Sequence, residues 1–253
     1  MEKLYYYLSF INGSWTTPIL ITGFDHNDIL VSELWWNFFV ESHRYIKRWF
    51  PDSCDQDFQN LFSNFCQKWN NPQWNDVLKK ALNWYIETNK CSIMIEGNII
   101  LQQAALEMLS SFILVELTQV ITKEKYDKKD TTKKIRKLLN HYNLPLKIPV
   151  NLTNLKKIEN DQDNRFNDSP AIFVFVRKSI VHDTLENLEK MEETIINSQV
   201  DKEDVISEVY ILGQWYLEII LLKIFDYQGN YVDRTKQDIW KNSIGEDFTK
   251  LIS

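Results

Sequence analysis

Glycine and proline are scarce in this chain, with six of each in 253 residues, and turn-rich β architectures need more of both. Cysteine is scarcer still. Cys54, Cys66 and Cys91 are odd in number and form no CxxC pair, which argues against a zinc site or a disulfide framework and suits small buried thiols in a reducing compartment. No uncharged apolar run reaches the roughly 20 residues needed to cross a bilayer: Glu96, Gln103 and Glu107 interrupt one apolar stretch, and Gln214 and Glu218 another. The opening MEKLYYYLSF has no basic region ahead of an apolar core, so no secretory leader is expected. These absences point to a helical, cytoplasmic protein with no membrane partner, no metal and no cofactor.

The chain is otherwise rich in core-forming residues. Its 44% hydrophobic and 13% aromatic content argues for a packed globule, long enough for one large or two small domains. The net charge of −6 hides an asymmetry. Eleven Lys or Arg fall between Lys123 and Lys157 against Glu124, Asp127 and Asp130, a local balance of +8, so the rest carries 18 basic and 32 acidic residues, or −14. A basic segment on an acidic body fits either a footprint for a phosphate backbone or a solvated helix face. Lys133, Lys134, Arg136 and Lys137 are its densest cluster and the candidate RNA-binding residues.

Residues 1–72 read as an amino-terminal extension and 73–253 as a helical domain. In the extension, KLYYYLSFINGSWTTPILITGF alternates loosely around Asn12-Gly13, the pattern of a short β-hairpin. NDILVSELWWNFFVESHRYIKRWFP reads as a helix from Asp28 that stops at Pro51, and DQDFQNLFSNFCQKW as a second helix. After the NNPQW break come an amphipathic helix (QWNDVLKKALNWYIETN), an apolar one of nearly 30 residues (SIMIEGNIILQQAALEMLSSFILVELTQV), a basic one (DTTKKIRKLLNHY), one capped by Asp168-Ser169-Pro170 (SPAIFVFVRKSIVH), and a long apolar one (KEDVISEVYILGQWYLEIILLKIF). A polar cap ahead of a proline in the first turn is a good helix start. This order predicts an all-α, up-and-down helical bundle, with the polar loop NDQDNRFND at its surface.

Arg177 and His182, separated by four residues and set between long helices, together with ALNWYIE, AALEML, IRKLLNHYNLPLKIP, VRKSIVH and WYLEIILLKIFDYQGNYVDR in that order, resemble the HEPN superfamily, and within it the ApeA-like group. The likeness covers about residues 73–237. It implies a metal-independent endoribonuclease that leaves a 2′,3′-cyclic phosphate, with Arg177 and His182 catalytic, a composite site at a homodimer interface, RNA as substrate, an antitoxin or regulatory protein as a further partner, and a toxin-like role in anti-phage defence. The group often has Asn, His or Asp after the arginine where this chain has Lys178. One branch has tyrosine where this chain has Thr184. Lys178 therefore favours the alternative: a catalytically silent module that binds RNA, nucleotide or a protein partner.

The two residue types suit the implied chemistry. Histidine, with an ordinary pKa of about 6.5, exchanges protons near neutral pH, and arginine offers a charged fork to phosphate oxygens. Five residues turn a helix by about 500°, leaving Arg177 and His182 roughly 140° apart around the axis. They share no narrow face, so the resemblance implies that a second copy helps to close the site. Glu96, Gln103 and Glu107 fall within about 40° of one another on their helix. Lys178, Glu96 and Glu107 are accordingly candidate supporting residues, with a polar stripe between helices as the other reading. His26, His43 and His141 are scattered and read as surface or interface residues. Arg234, after the Gly229 turn, is read either as an RNA contact or as a structural stop.

Overall fold

A computed structural model describes residues 1–35, 47–51, 55–90, 94–159, 166–181, 184–236 and 246–247. The chain is mostly helical. Helix α1 (Glu2–Asn12) leads into a hairpin of β1 (Leu20–Phe24) and β2 (Leu30–Trp35). Then follow α2 (Asp55–Asn70), α3 (Pro72–Asn89) and α4 (Ile95–Ser111), which runs on as a π-helix, Phe112–Leu117. The rest comprises α5 (Lys123–Asp127), α6 (Thr131–His141), α7 (Thr153–Glu159), α8 (Ser169–Val181), α9 (Leu185–Ser198), α10 (Lys202–Ile224), and a two-residue pairing of β3 (Asn230–Tyr231) with β4 (Glu246–Asp247).

Polar caps start these helices by accepting bonds from backbone N–H groups that have no partner inside the helix. Asn71 accepts from Gln73 N at 2.9 Å, with Pro72 following at the first helical position. Asp130 accepts from Lys133 N at 2.8 Å, and Asp201 from Glu203 N at 2.8 Å. The long apolar helices α4 and α10 lie at the centre: α10 packs on α3, α4, α7 and α8, and α4 also meets α3, α6 and α8. Gly213 permits the close approach of α10. A methyl group there would sit 2.2 Å from Gln102 Oε1 and 2.6 Å from Phe173 Cε2.

Two helical runs, Ile95–Leu117 and Lys202–Ile224, are long and apolar enough to cross a membrane by length and composition. The helical path of the first continues through the Glu96, Gln103 and Glu107 that interrupt the apolar run in sequence. Both lie in the middle of the bundle, where an all-round apolar surface is what a core helix needs.

The amino-terminal region departs from expectation. Asn12-Gly13 is not a hairpin turn: α1 occupies residues 2–12, and Gly13, at φ 67°, is the left-handed residue that ends it. The hairpin lies further on. Its strands pair Leu20 with Trp35 and Thr22 with Glu33, with a register shift after Gly23. The predicted helix from Asp28 is likewise a strand over Leu30–Trp35, and positions 36–46 lie outside the described residues. Among the described residues the extension has no core of its own. Tyr7 and Phe10 of α1 join Phe65 of α2, Tyr85 of α3 and Phe225 in one continuous core, with Phe10 5.5 Å from both Tyr85 and Phe225 between ring centres. Helix α9 fills a stretch with no expected element, and Thr184 caps it, accepting from Asn187 N at 3.4 Å. Cys66 is a half-buried free thiol; Cys54 and Cys91 lie outside the described residues.

Candidate nucleic-acid interface

The basic helix and the motif helix pack side by side. Ile135, Leu138 and Leu139 turn the apolar face of α6 into the core, which leaves Lys133 and Lys137 exposed. On α8, Ile172, Phe173 and Val176 are buried, while Ala171, Val174, Phe175 and Lys178, at steps of three and four, share the face toward α6. Between the two helices is a cleft of about 400 Å³, lined by Asp130, Thr132, Lys133 and Arg136 on one side and by those four α8 residues on the other.

Asp168 sets the geometry of this cleft. Its Oδ1 accepts from Ala171 N at 3.0 Å, which caps α8, and its two oxygens accept from Arg136 Nε at 2.5 Å and Nη2 at 3.0 Å. A bidentate pair of this kind fixes orientation as well as charge. It locks the end of α8 against the middle of α6. On the α6 side of the cleft Lys133 Nζ is 2.8 Å from Asp130 Oδ2. Burial pushes the Asp130 carboxyl up, but its hydrogen bonds and charge attraction to Lys133, with the positive charge of Lys178, outweigh this and hold it below its ordinary value. Three cations therefore converge on the cleft against two carboxylates, Asp130 and Asp168.

Arg177 flanks this face, about 60° from Val174 around the helix. It is half-buried, and its Nε is buried with no hydrogen-bond acceptor among the described residues. A buried, unanswered donor costs stability, and Arg177 is not among the residues that line the cleft. His182 follows Val181, the last residue of α8, and with Asp183 lies outside the described residues.

The other candidates divide. Lys133, Arg136 and Lys178 line the cleft, while Lys137 is exposed beyond it. Lys134 turns away: its Nζ lies 4.9 Å from the Tyr126 ring centre and 4.0 Å from Glu107 Oε2. Glu107 belongs to the contact between α4 and α6, accepting from Gln103 Nε2 at 2.7 Å and Thr131 Oγ1 at 3.1 Å. Glu96, half-buried in the first turn of α4, is about 16 Å from Glu107 along the axis, so the two carboxylates serve different places. His26 is in the hairpin turn, His141 lies against Tyr142 with ring centres 5.0 Å apart, and His43 is outside the described residues. Among the described residues no three His, Cys, Asp or Glu side chains converge to hold a metal ion.

Arg234 is structural. It is 4% exposed and donates from Nε to Glu218 Oε2 at 3.0 Å, and from Nη2 to Glu218 Oε1 and to Asn89 Oδ1, the latter at 2.8 Å. Tyr85 donates to the same Glu218 at 3.0 Å, and Asn89 Nδ2 donates to the carbonyls of Gly13 and Lys47. Sequence reasoning missed Asp168 and Asp130 as partners of the basic residues. The helix-cap positions both occupy were the available signal.

Fold and site together define a helical bundle with a basic cleft between two of its helices. The chain belongs to the YopA C-terminal domain family, which it matches over residues 71–246. It is 30% identical over 240 residues to the SPbeta prophage-derived uncharacterized protein YopA of Bacillus subtilis (strain 168), in an alignment that takes in 94% of this chain and 50% of that protein. The chain thus spans about half the length of this relative. No solved structure matches it.

Proposed function

We propose that this chain is a cytoplasmic, metal-independent endoribonuclease of HEPN type that holds RNA in the cleft between α6 and α8 and cuts it with Arg177 and His182. The observation that carries the reading is the meeting of the basic helix with the motif helix: Lys133 and Lys178 rim one cleft, and Arg177, next to Lys178 on the motif helix, has a buried Nε with no acceptor among the described residues. Lysines at the rim bind phosphates through charge, and half-exposed Phe175 offers a ring for an unstacked base. His182 takes the 2′-OH proton, the 2′ oxygen bonds to phosphorus, and the bond to the 5′ oxygen breaks as that oxygen gains a proton. Arg177 neutralises the phosphorane. A two-fold dimer brings a second motif to the site. The prophage origin of the YopA relative fits a toxin-like role in conflict between phages and their hosts, with an antitoxin or regulatory protein as restraint.

The test is cleavage of labelled RNA by the purified chain. Arg177→Ala and His182→Ala should each abolish cutting with helix content unchanged, the products should end in 2′,3′-cyclic phosphate, and chelator should leave the rate intact. Retained cleavage in His182→Ala defeats the mechanism. Loss of RNA affinity on Lys133→Gln and Lys178→Gln, with no cleavage by the parent chain, would leave the silent RNA-binding module, which Lys178 beside Arg177 favours.

A further inference from the structure

The hairpin is the one place among the described residues where large apolar side chains gather on the outside. Phe24, Ile29, Leu30, Val31, Leu34 and Trp35 are all exposed, Trp35 by 73%, and they lie on both faces of the ribbon. An isolated two-stranded hairpin is at best marginally stable in water, and an apolar surface of this extent marks an interaction site. The turn itself is well built: Asp25 Oδ1 accepts from Asn27 N at 2.8 Å and Ile29 N at 3.0 Å. The ribbon is therefore a formed arm whose apolar side chains stay exposed among the described residues.

Its charge narrows the choice of partner. Residues 4–43 contain no Lys or Arg but include Asp25, Asp28, Glu33 and Glu41. An acidic arm is repelled by nucleic acid and by anionic lipid, which leaves a protein surface with an apolar floor and a basic rim. This chain carries one. The cleft between α6 and α8 has Ala171, Val174 and Phe175 as its floor, and Lys133, Arg136 and Lys178 around it, with Lys133 paired to Asp130, Arg136 to Asp168 and Lys178 left as the cation for the arm's carboxylates. At the tip of the arm, exposed Phe24 and Ile29 flank the acidic turn of Asp25 and Asp28, apolar against floor and acid against rim. The lengths agree: six residues of strand and the 11 and 13 residues of α6 and α8 each run about 16 to 20 Å.

We infer that the hairpin is a docking arm that seats its tip in the α6–α8 cleft of a second copy of this chain. One arm and one cleft per chain make the exchange reciprocal, so a dimer is the smallest assembly that closes. Resting on the RNA reading above, the seated arm also covers the surface that RNA would use, so this arm-exchanged dimer is a resting form distinct from the motif-to-motif dimer, which forms on RNA.

Sedimentation of the full chain across a dilution series tests the docking. The parent chain should associate, and Phe24→Ser with Ile29→Ser should leave it monomeric with unchanged helix content. Asp28→Lys and Lys178→Glu should each weaken association by about tenfold or more, and the two together should recover most of it, because the charge pair is rebuilt in reverse. A photoreactive side chain at position 29 should crosslink to residues 171–178 of the other copy. A monomeric parent chain, an unrescued charge swap, or crosslinks that map elsewhere overturn the proposal, as does association with neutral vesicles in place of self-association. Addition of RNA separates the two readings. Competition between RNA and the arm supports both, whereas an intact charge swap with no RNA binding by the arm variants retains the docking and removes the nuclease.

Discussion

The hairpin and the centre of the bundle are built the opposite way round. The hairpin shows Phe24, Val31 and Trp35 to solvent. The centre hides a charged pair, Arg234 and Glu218, at 4% and 1% exposure. Neither arrangement breaks physical rules. The buried charges are tolerable because their neighbours answer them: Glu218 accepts from Tyr85 and from both ends of the guanidinium fork, and Arg234 also reaches Asn89. The exposed apolar residues have no such answer among the described residues. A polar group inside is thus explained by partners that can be named here, and an apolar patch outside by a partner still to be bound.

This contrast can be broken first at its strongest point. Glu218→Ala should cost about 3 to 5 kcal/mol in urea unfolding, because it strands a buried guanidinium. Replacing both members, with Glu218→Leu and Arg234→Met, should cost far less than the single change, and equal costs would mean the pair is not buried in solution. Alkaline pH gives a second test. Burial, first, and the negative charge of Glu218, next, raise the Tyr85 hydroxyl well above its ordinary range; burial also raises Tyr7, Tyr142 and Tyr216. A group with a raised folded pKa stabilises fully below its unfolded pKa and loses that contribution as pH rises. Stability should therefore hold up to about pH 10 and fall steeply beyond it, with tyrosinate absorbance appearing as the chain unfolds.

Smaller effects follow. Gly213→Ala should cost about 1 to 3 kcal/mol by forcing a methyl group against Phe173 and Gln102. Asp168→Ala should cost about 1 to 2 kcal/mol from the lost cap, and should also weaken RNA binding by freeing Arg136. At the far end, Val31→Ser with Trp35→Ser should change stability by less than about 0.5 kcal/mol. A large loss there would mean that the arm packs on its own body.

Helices α2, α3, α6, α8 and α10 were legible in the sequence because caps and apolar periodicity agreed. Asp130 and the Asp168-Ser169-Pro170 start are cases in point. Asn12-Gly13 misled because a left-handed residue ends a helix as readily as it turns a hairpin. Residues 29–35 misled for a different reason. A strand with apolar residues on both faces has no alternation to read, and its apolar positions fit a helical stripe equally well. Helix α9 escaped because LENLEKMEETIINS is mostly polar and buries little beyond Met191 and Thr194. The basic cleft was half legible. The Lys-rich run stood out, but that α6 would lie against α8, and that Asp168 would hold Arg136 there, depended on tertiary packing.

The bonds around Arg234 also bear on how the chain is made. Tyr85, Asn89 and Glu218 are synthesised before Arg234, so the carboxylate of Glu218 lacks its guanidinium partner until Arg234 emerges. Until then α3 and α10 carry polar groups that favour water over each other, and stable docking of these two helices is deferred. The closing turn after α10 thus acts as a clasp in time as well as space: it delays the stable seating of α3 on α10 until Arg234 has been added.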